Sequence, residues 1–343
     1  MQSTFKAVVL KNFNVVEIQE FKIPTKADLK PHHVLVKMEC AGICGAQINE
    51  ITGAKGPDAH LPHFLGHEGV GRVVAVGSCV THLRVKDRVV LHWRKGLGGE
   101  ESKGVTIKNI NGESIGGGPV TTWGEYTIVS ENRCTQIGNK IPARIAALFG
   151  CAYSTGFGII EHEAGPILNK SILLVGCGGV GLCALIAAKN KGAKEINVYE
   201  ISRKQRLLAS SMGAFVGDSR ELFSRTYDVV VELTGRPELI EWGLERTAPG
   251  GKLVLVGQPK ANDSVTFKNF RQHYVGKTIL DSQGGGSVPY LSIPIFESNY
   301  CHGLLNGLHR VIGDVCMIDT LPSKINDILN GNQKRAGRCL IDL

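Results

Sequence analysis

No run of Lys or Arg longer than a few residues occurs in this chain, although 39 basic and 31 acidic residues leave a formal net charge of +8. Proteins that bind nucleic acid gather their basic residues into a face or a run, so that partner class is set aside. The positive balance suits a small anionic ligand instead, such as a dinucleotide or a phosphorylated substrate. Cysteine occurs ten times but never in the dense spacing of a secreted disulfide scaffold. The opening MQSTFKAVVL has no charged segment followed by an apolar one, so no signal peptide is expected. A reduced, cytoplasmic protein follows, with Cys as core filler or metal ligand. A membrane span is also missing. The uncharged segment 172–188 (ILLVGCGGVGLCALIAA) packs four glycines into six residues, which divides it into strand, turn and helix. No internal repeat is evident.

What is present is a chain of 343 residues, too long for one simple core and suited to two domains. Its 43 glycines are scattered, which implies tight turns and close backbone approaches, not a linker. The first 150 residues read as short β-runs between turns: FKAVVL, HVLVKMECAG, GVGRVVAVG and DRVVLHW. Residues 94–122 are polar, Gly-rich and free of Cys, and read as a long surface excursion. From about Tyr153 strands and helices alternate: SILLVG, GLCALIAAKNKGA, EINVYE, SRKQRLLASSMGA, YDVVVEL, PELIEWGLERTA and GKLVLVG. Continuously apolar strands separated by helices predict a parallel sheet covered on both faces. After about Gln283 the pattern returns to turns and short segments, ending in the strand-like RCLIDL. The expected class is α/β. A β-rich domain is made from 1–152 and 284–343, and a doubly wound domain, 153–283, is inserted between them.

Gly176-Cys177-Gly178-Gly179-Val180-Gly181 matches G-x-G-x-x-G, directly after a strand and opening a helix. Gly176 permits the tight turn, Gly178 lets backbone approach a pyrophosphate, and Gly181 lets helix and strand pack closely. The free N–H groups of the helix N-terminus favour phosphate charge. Glu200 ends the next strand, where a carboxylate accepts from a ribose diol and repels a 2′-phosphate, favouring NAD over NADP. Arg203 and Lys204 beside it could tolerate that phosphate. Thr234, Val256 and Gly257 complete the candidate cofactor residues.

Cys44, His67-Glu68 and Cys151 stand beside turn glycines in GICG, LGHEG and FGCAYSTG. Two thiolates and one imidazole would leave a fourth position open on zinc, the arrangement of a catalytic site. Spacing alone leaves this open, because a lone Cys in an apolar context is more often core than ligand.

In combination, GICG, GHEGVGRVVAVG, DRVVLHW, FGCAYSTGFG, VGCGGVG and RCLIDL resemble the zinc-containing medium-chain alcohol, sorbitol and threonine dehydrogenases over essentially the whole chain. The resemblance implies a GroES-like catalytic domain and a Rossmann domain with the site in the cleft between them. It implies Cys44, His67 and Cys151 as zinc ligands, with Glu68 as a neighbouring or exchangeable ligand carboxylate. It puts Thr155 beside the nicotinamide, Arg338 on the pyrophosphate and Trp93 in the substrate wall. It also implies a homo-oligomer, dimer or tetramer, formed through sheet edges. The chemistry is hydride transfer between an alcohol and NAD, with the alcohol proton made labile by the metal.

Three features depart from the family pattern. Ala46, Gln47 and Asn49 replace residues that relay a proton or hold a ligand histidine, so the proton must leave by water, by substrate or through another group such as His92 or His63; His92 and Asn49 are kept as pocket candidates. The lobe 94–122 lacks the four cysteines of a structural zinc, so one zinc per chain is expected. Gln283-Gly284-Gly285-Gly286 is richer in Gly than a turn needs, for hinge motion or a bulge. The polar WRKG stretch points to a hydroxylated substrate of polyol, sugar or amino-sugar type. Two rival functions are a zinc-free NADPH-dependent reductase of the same fold and a non-catalytic NAD-binding protein.

Overall fold

The protein is described by a computed structural model covering residues 3–101 and 104–343. Three sheets organise it. The first contains β1 (Thr4–Asn12), β2 (Val15–Lys22), β4 (His63–Phe64), β7 (Thr106–Lys108) and β8 (Ser114–Gly116), in the order β2-β1-β4-β8-β7. The second contains β3 (His33–Gly42), β5 (Glu68–Val76), β6 (Arg88–His92), β9 (Tyr126–Ser130), β10 (Cys134–Gln136), β17 (Ile312–Met317) and β18 (Arg338–Asp342). Here β18 pairs antiparallel with β3, Leu340 facing Gly42, so the two ends of the chain share one sheet.

The third sheet is wholly parallel: β11 (Ser171–Val175), β12 (Glu195–Tyr199), β13 (Phe215–Gly217), β14 (Tyr227–Glu232), β15 (Thr247–Leu255) and β16 (Thr278–Asp281), in the order β13-β12-β11-β14-β15-β16. Counted within the sheet this is 3-2-1-4-5-6, the doubly wound order whose ligand crevice opens where the winding reverses, between β11 and β14. Among the described residues there are eight α-helices: α1 (Gly45–Ile51), α2 (Ala143–Leu148), α3 (Ala152–Gly158), α4 (Gly179–Asn190), α5 (Arg203–Ser211), α6 (Pro237–Arg246), α7 (Pro289–Cys301) and α8 (Leu321–Leu329). Among the described residues no helix is long and apolar enough to cross a membrane.

Strand periodicity explains why β11 is apolar throughout. Ile172 and Leu174 belong to the core on the α4 side, while Leu173 and Val175 belong to the opposite core with Phe223, Tyr227 and Trp242. Successive side chains point to opposite faces, and here both faces are covered. Helix α4 buries eight of its twelve residues between that sheet and α3. The two helices touch at Gly156, where a Cβ would lie 2.5 Å from Cys183 Cβ and 2.7 Å from the Val180 carbonyl. That approach ties α3, which follows Cys151, to α4, which opens the dinucleotide motif.

Two expectations need correction. The lobe 94–122 is not a plain excursion, because its hairpin β7–β8 joins the first sheet, with His63 of β4 facing Gly116. Strand pairing by a distant segment is invisible to local composition. The region after Gln283 contains the 13-residue α7, hidden in the sequence by Pro289 and Pro294. Proline at the first turn is compatible with a helix, whereas Pro294 removes an internal bond. Burial outweighs that loss. Phe296 sits 4.8 Å from the ring of Tyr153, 5.1 Å from Phe157 and 5.4 Å from Phe149.

Gly250 and Gly285 provide a controlled comparison, since both have φ near +70° but only Gly285 is enclosed. Gly250→Ala is expected to cost about 1 kcal/mol of unfolding free energy, the left-handed penalty alone. Gly285→Ala is expected to cost at least about 2–3 kcal/mol more, because its Cβ would lie 2.4 Å from the Thr155 carbonyl. Equal denaturant midpoints for the two variants would contradict the packing described.

Candidate active site

Cys44 follows β3 and caps α1, Cys151 caps α3, and His67 lies in the turn between β4 and β5. One ligand atom from each of these three residues lies within 4.8 Å of the other two. Cys44 and Cys151 are buried, and His67 Nε2 is buried with no hydrogen-bond partner. Leaving a buried imidazole nitrogen unpaired is costly, and a cation beside two sulfurs would satisfy it. The hydrogen bond from Cys151 holds the Cys44 thiol well below the usual range, against burial and with help from Arg338 and His67. That same hydrogen bond, with burial, pushes the Cys151 thiol well up. The donor set of two sulfurs and one nitrogen suits zinc and leaves a fourth position for another ligand.

Glu68 is fully buried and does not join the trio. Its Oε2 accepts from Ala152 N at 2.9 Å and its Oε1 from Arg338 Nε at 2.6 Å. Gly42 makes the room, since a Cβ there would lie 1.9 Å from Glu68 Oε1. The carboxylate therefore anchors the segment after Cys151 and is not a ligand in this arrangement. Arg338 is buried; desolvation opposes its charge, but Cys44, Glu68 and Cys151 outweigh that and raise its pKa. Its stem lies against Gly179, 3.0 Å from a Cβ built there, so the guanidinium stands between the sulfur cluster and the dinucleotide turn.

The turn itself has the expected form. Gly176 has φ +91°, nothing lies within 4 Å of a Cβ on Gly178, and a Cβ on Gly181 would meet the Gly176 carbonyl at 2.9 Å. A cavity of about 290 Å³ opens here, lined by Gly176, Glu200, Arg220, Thr234, Arg236 and Glu238 among others. Glu200 accepts from Cys177 N and Ser202 N, both at 2.8 Å, which fixes its carboxylate at the rim. Thr234 donates through N and Oγ1 to buried Glu232. Val256 and Gly257 both donate backbone N–H to the Glu232 carbonyl, at 2.8 and 3.0 Å. Val180 lies in the first turn of α4. Arg203 opens α5 and does not line the cavity.

The family comparisons agree with this geometry. Residues 30–139 match the alcohol dehydrogenase GroES-like domain, and 179–292 the zinc-binding dehydrogenase domain. The chain belongs to the zinc-containing medium-chain alcohol dehydrogenase family. It is 28% identical to alcohol dehydrogenase B of Mycobacterium tuberculosis, covering 96% of each chain. It is 26% identical to a probable S-(hydroxymethyl)glutathione dehydrogenase of Schizosaccharomyces pombe, covering 92% of this chain and 91% of that one. The fold superposes on benzyl alcohol dehydrogenase from Acinetobacter calcoaceticus with a TM-score of 0.85 at 24% identity, over the whole of both chains.

Within this dehydrogenase fold the substitutes for the missing relay are not free. His92 is buried, with Nδ1 bonded to the Arg94 carbonyl at 2.7 Å and Nε2 to Thr135 Oγ1 at 2.9 Å. Burial pushes its imidazole down to about 4. It is a core histidine and not a pocket base. His63 bonds Asp58 at 2.9 Å and the Phe64 carbonyl at 2.9 Å. Asn49 lies in α1, where its carbonyl accepts from Ala54 N. Gln47 is buried, donating to Glu50 at 3.2 Å, and its Oε1 has no partner. Trp93 and Thr155 both lie against the glycine loop 284–286. Sequence reasoning missed Arg220 and Arg236; their only signal is the position of Arg236 just beyond a strand end.

Two outcomes follow for stability. Arg338→Met should cost about 3–5 kcal/mol by stranding a buried carboxylate, and adding Glu68→Gln should recover part of it; a denaturant double-mutant cycle measures both. The His92 imidazole is held at about 4 against 6.5 when unfolded, so the unfolded chain takes up its proton first as pH falls. Stability from this group is complete above pH 6.5 and is lost down to about 4, amounting to ~3 kcal/mol. His92→Gln should flatten that part of the stability–pH curve.

Proposed function

We propose that the chain is a zinc-dependent oxidoreductase that transfers hydride between a secondary alcohol, of polyol, sugar or amino-sugar type, and NAD. The observation that carries this reading is the trio Cys44, His67 and Cys151 with its unpaired imidazole nitrogen, next to a dinucleotide turn. Zinc held there would supply Lewis-acid chemistry, lowering the proton affinity of a substrate oxygen. NAD would supply the hydride acceptor.

The chain's own residues set the geometry. Glu68 holds the backbone after Cys151, and Arg338 balances the sulfur charge from the cofactor side. The free N–H groups at the start of α4 face the pyrophosphate position. Glu200, oriented by two backbone donors, keeps lone pairs for the ribose hydroxyls, which favours NAD. Arg220 and Arg236 in the same cavity favour the alternative, NADP. Thr155 flanks the nicotinamide position and Trp93 the substrate. With Ala46 and Asn49 unable to take a proton and His92 sequestered, the proton leaves through water or substrate hydroxyls.

Ten free thiols suit a cytoplasmic setting. The outer edge of β16 is bordered by exposed Tyr274, Val275 and Ile279, which suits association of two copies through that edge. A dimer or tetramer is expected by light scattering.

Elemental analysis should find about one zinc per chain, lost in Cys44→Ser and in Cys151→Ser. Metal-replete protein should reduce NAD in the presence of polyols, with both variants reduced at least about a hundredfold in kcat/KM. Absence of zinc would move the zinc-free reductase to the front. Zinc and NAD binding without turnover on any alcohol would favour the non-catalytic reading.

A further inference from the structure

Trp93 and Arg94 leave β6 and meet a ribbon of three glycines, Gly284, Gly285 and Gly286, with φ of +68°, +68° and +61°. A Cβ on Gly284 would lie 2.8 Å from both Trp93 Cζ2 and Arg94 Cδ. One on Gly285 would lie 2.4 Å from the Thr155 carbonyl, and one on Gly286 would lie 3.8 Å from Glu163 Oε1. The ribbon thus runs between Trp93 and Arg94 on one flank and Thr155 and Glu163 on the other, and it puts no side chain of its own between them.

Neither Arg94 nor Glu163 is held in an ion pair among the described residues. Arg94 lies over the Trp93 ring, 5.8 Å from its centroid, and makes no ion pair among the described residues. Glu163 ends a π-helical turn, Ile159–Glu163, that continues α3; such turns recur at functional sites. Lys252 Nζ holds the Glu163 carbonyl at 3.1 Å, while the carboxyl oxygen Oε2 is buried without a partner. Burial raises the pKa of this carboxyl, against the Ser282 hydroxyl and the charges of Arg94 and His162. A guanidinium with free donors and a carboxyl with a free acceptor therefore flank the same ribbon, beside two residues of the proposed active site.

We propose that Arg94 and Glu163 are specificity-determining residues for the distal hydroxyl groups of a polyol, Arg94 donating to one hydroxyl oxygen and Glu163 accepting from the next hydroxyl. This rests on the alcohol-oxidising reading above. A ligand carrying adjacent hydroxyls satisfies both groups, whereas a monohydric alcohol leaves both unpaired, and sites built to bond a hydroxyl discriminate strongly against analogues without it.

The test compares wild type, Arg94→Met, Arg94→Lys and Glu163→Gln, all with NAD, on matched substrates: xylitol against 2-pentanol and sorbitol against 2-hexanol. The Met and Gln variants should lose about tenfold or more in kcat/KM on the polyols, chiefly through KM, and stay within about twofold on the mono-alcohols. Arg94→Lys, which keeps a donor, should lose less. Tryptophan fluorescence of the NADH-loaded protein, titrated with each polyol, should show the same weakening without turnover. Equal losses on both members of a pair, or no loss, would overturn the proposal and make the two residues struts between sheets. Polyol binding sensitive to both variants without oxidation of any alcohol would leave this proposal standing and sink the proposed reaction. Oxidation of mono-alcohols with no binding or oxidation of polyols would overturn this proposal and the polyol assignment, and leave zinc-dependent alcohol oxidation standing.

Discussion

The buried pair of Glu68 and Arg338 is the contact on which the rest of the site depends. Moving both charges out of water costs several kcal/mol per ion, and the short contact of Arg338 Nε with Glu68 Oε1 at 2.6 Å offsets that cost. Glu68 also accepts from the first amide of α3, and Arg338 faces the sulfur pair, whose charge raises its pKa. Four segments are thereby held in one register: the start of β5, the turn at Cys151, the strand β18 and the glycine turn before α4. The sulfur trio and the glycine turn are adjacent because one guanidinium lies between them.

The second constraint is steric. Helix α3 can follow Cys151 and still lean on α4 because Gly156 lets the two backbones meet. The ribbon 284–286 can pass beneath Trp93 because it has no side chains. Close packing of this kind transmits position without needing many polar bonds. The relay positions are another matter. Gln47 is buried with an acceptor to spare, and His92 is shut into the second sheet by Arg94 and Thr135. No ionisable side chain follows Cys44 until Glu50.

Much of the fold was legible in order. The strands of the parallel sheet and the glycine turn carry a local signature: continuous apolar runs separated by helical segments, and glycine where φ is positive or backbones meet. Harder to read were β13 and β16, which are short, the hairpin β7–β8, whose Gly116 pairs with His63 fifty-three positions earlier, and α7, whose prolines announce a break. In the last two, long-range burial and pairing outweighed local preference, as tertiary context commonly does.

By itself the sequence determined the family, the identity of the sulfur and imidazole donors and the glycine turn, because these depend on residue type and on neighbours a few positions away. Only the tertiary structure decided what those residues face. It gave the two Glu68 oxygens to Ala152 and Arg338, beside the trio. It took His92 out of the pocket by burying it, and it placed Arg220 and Arg236, not Arg203, on the cavity beside the glycine turn. It also brought Arg94 and Glu163, sixty-nine positions apart, to either side of one loop. The direction of a side chain is set by sheet register and by contacts between remote segments, and no local pattern encodes these.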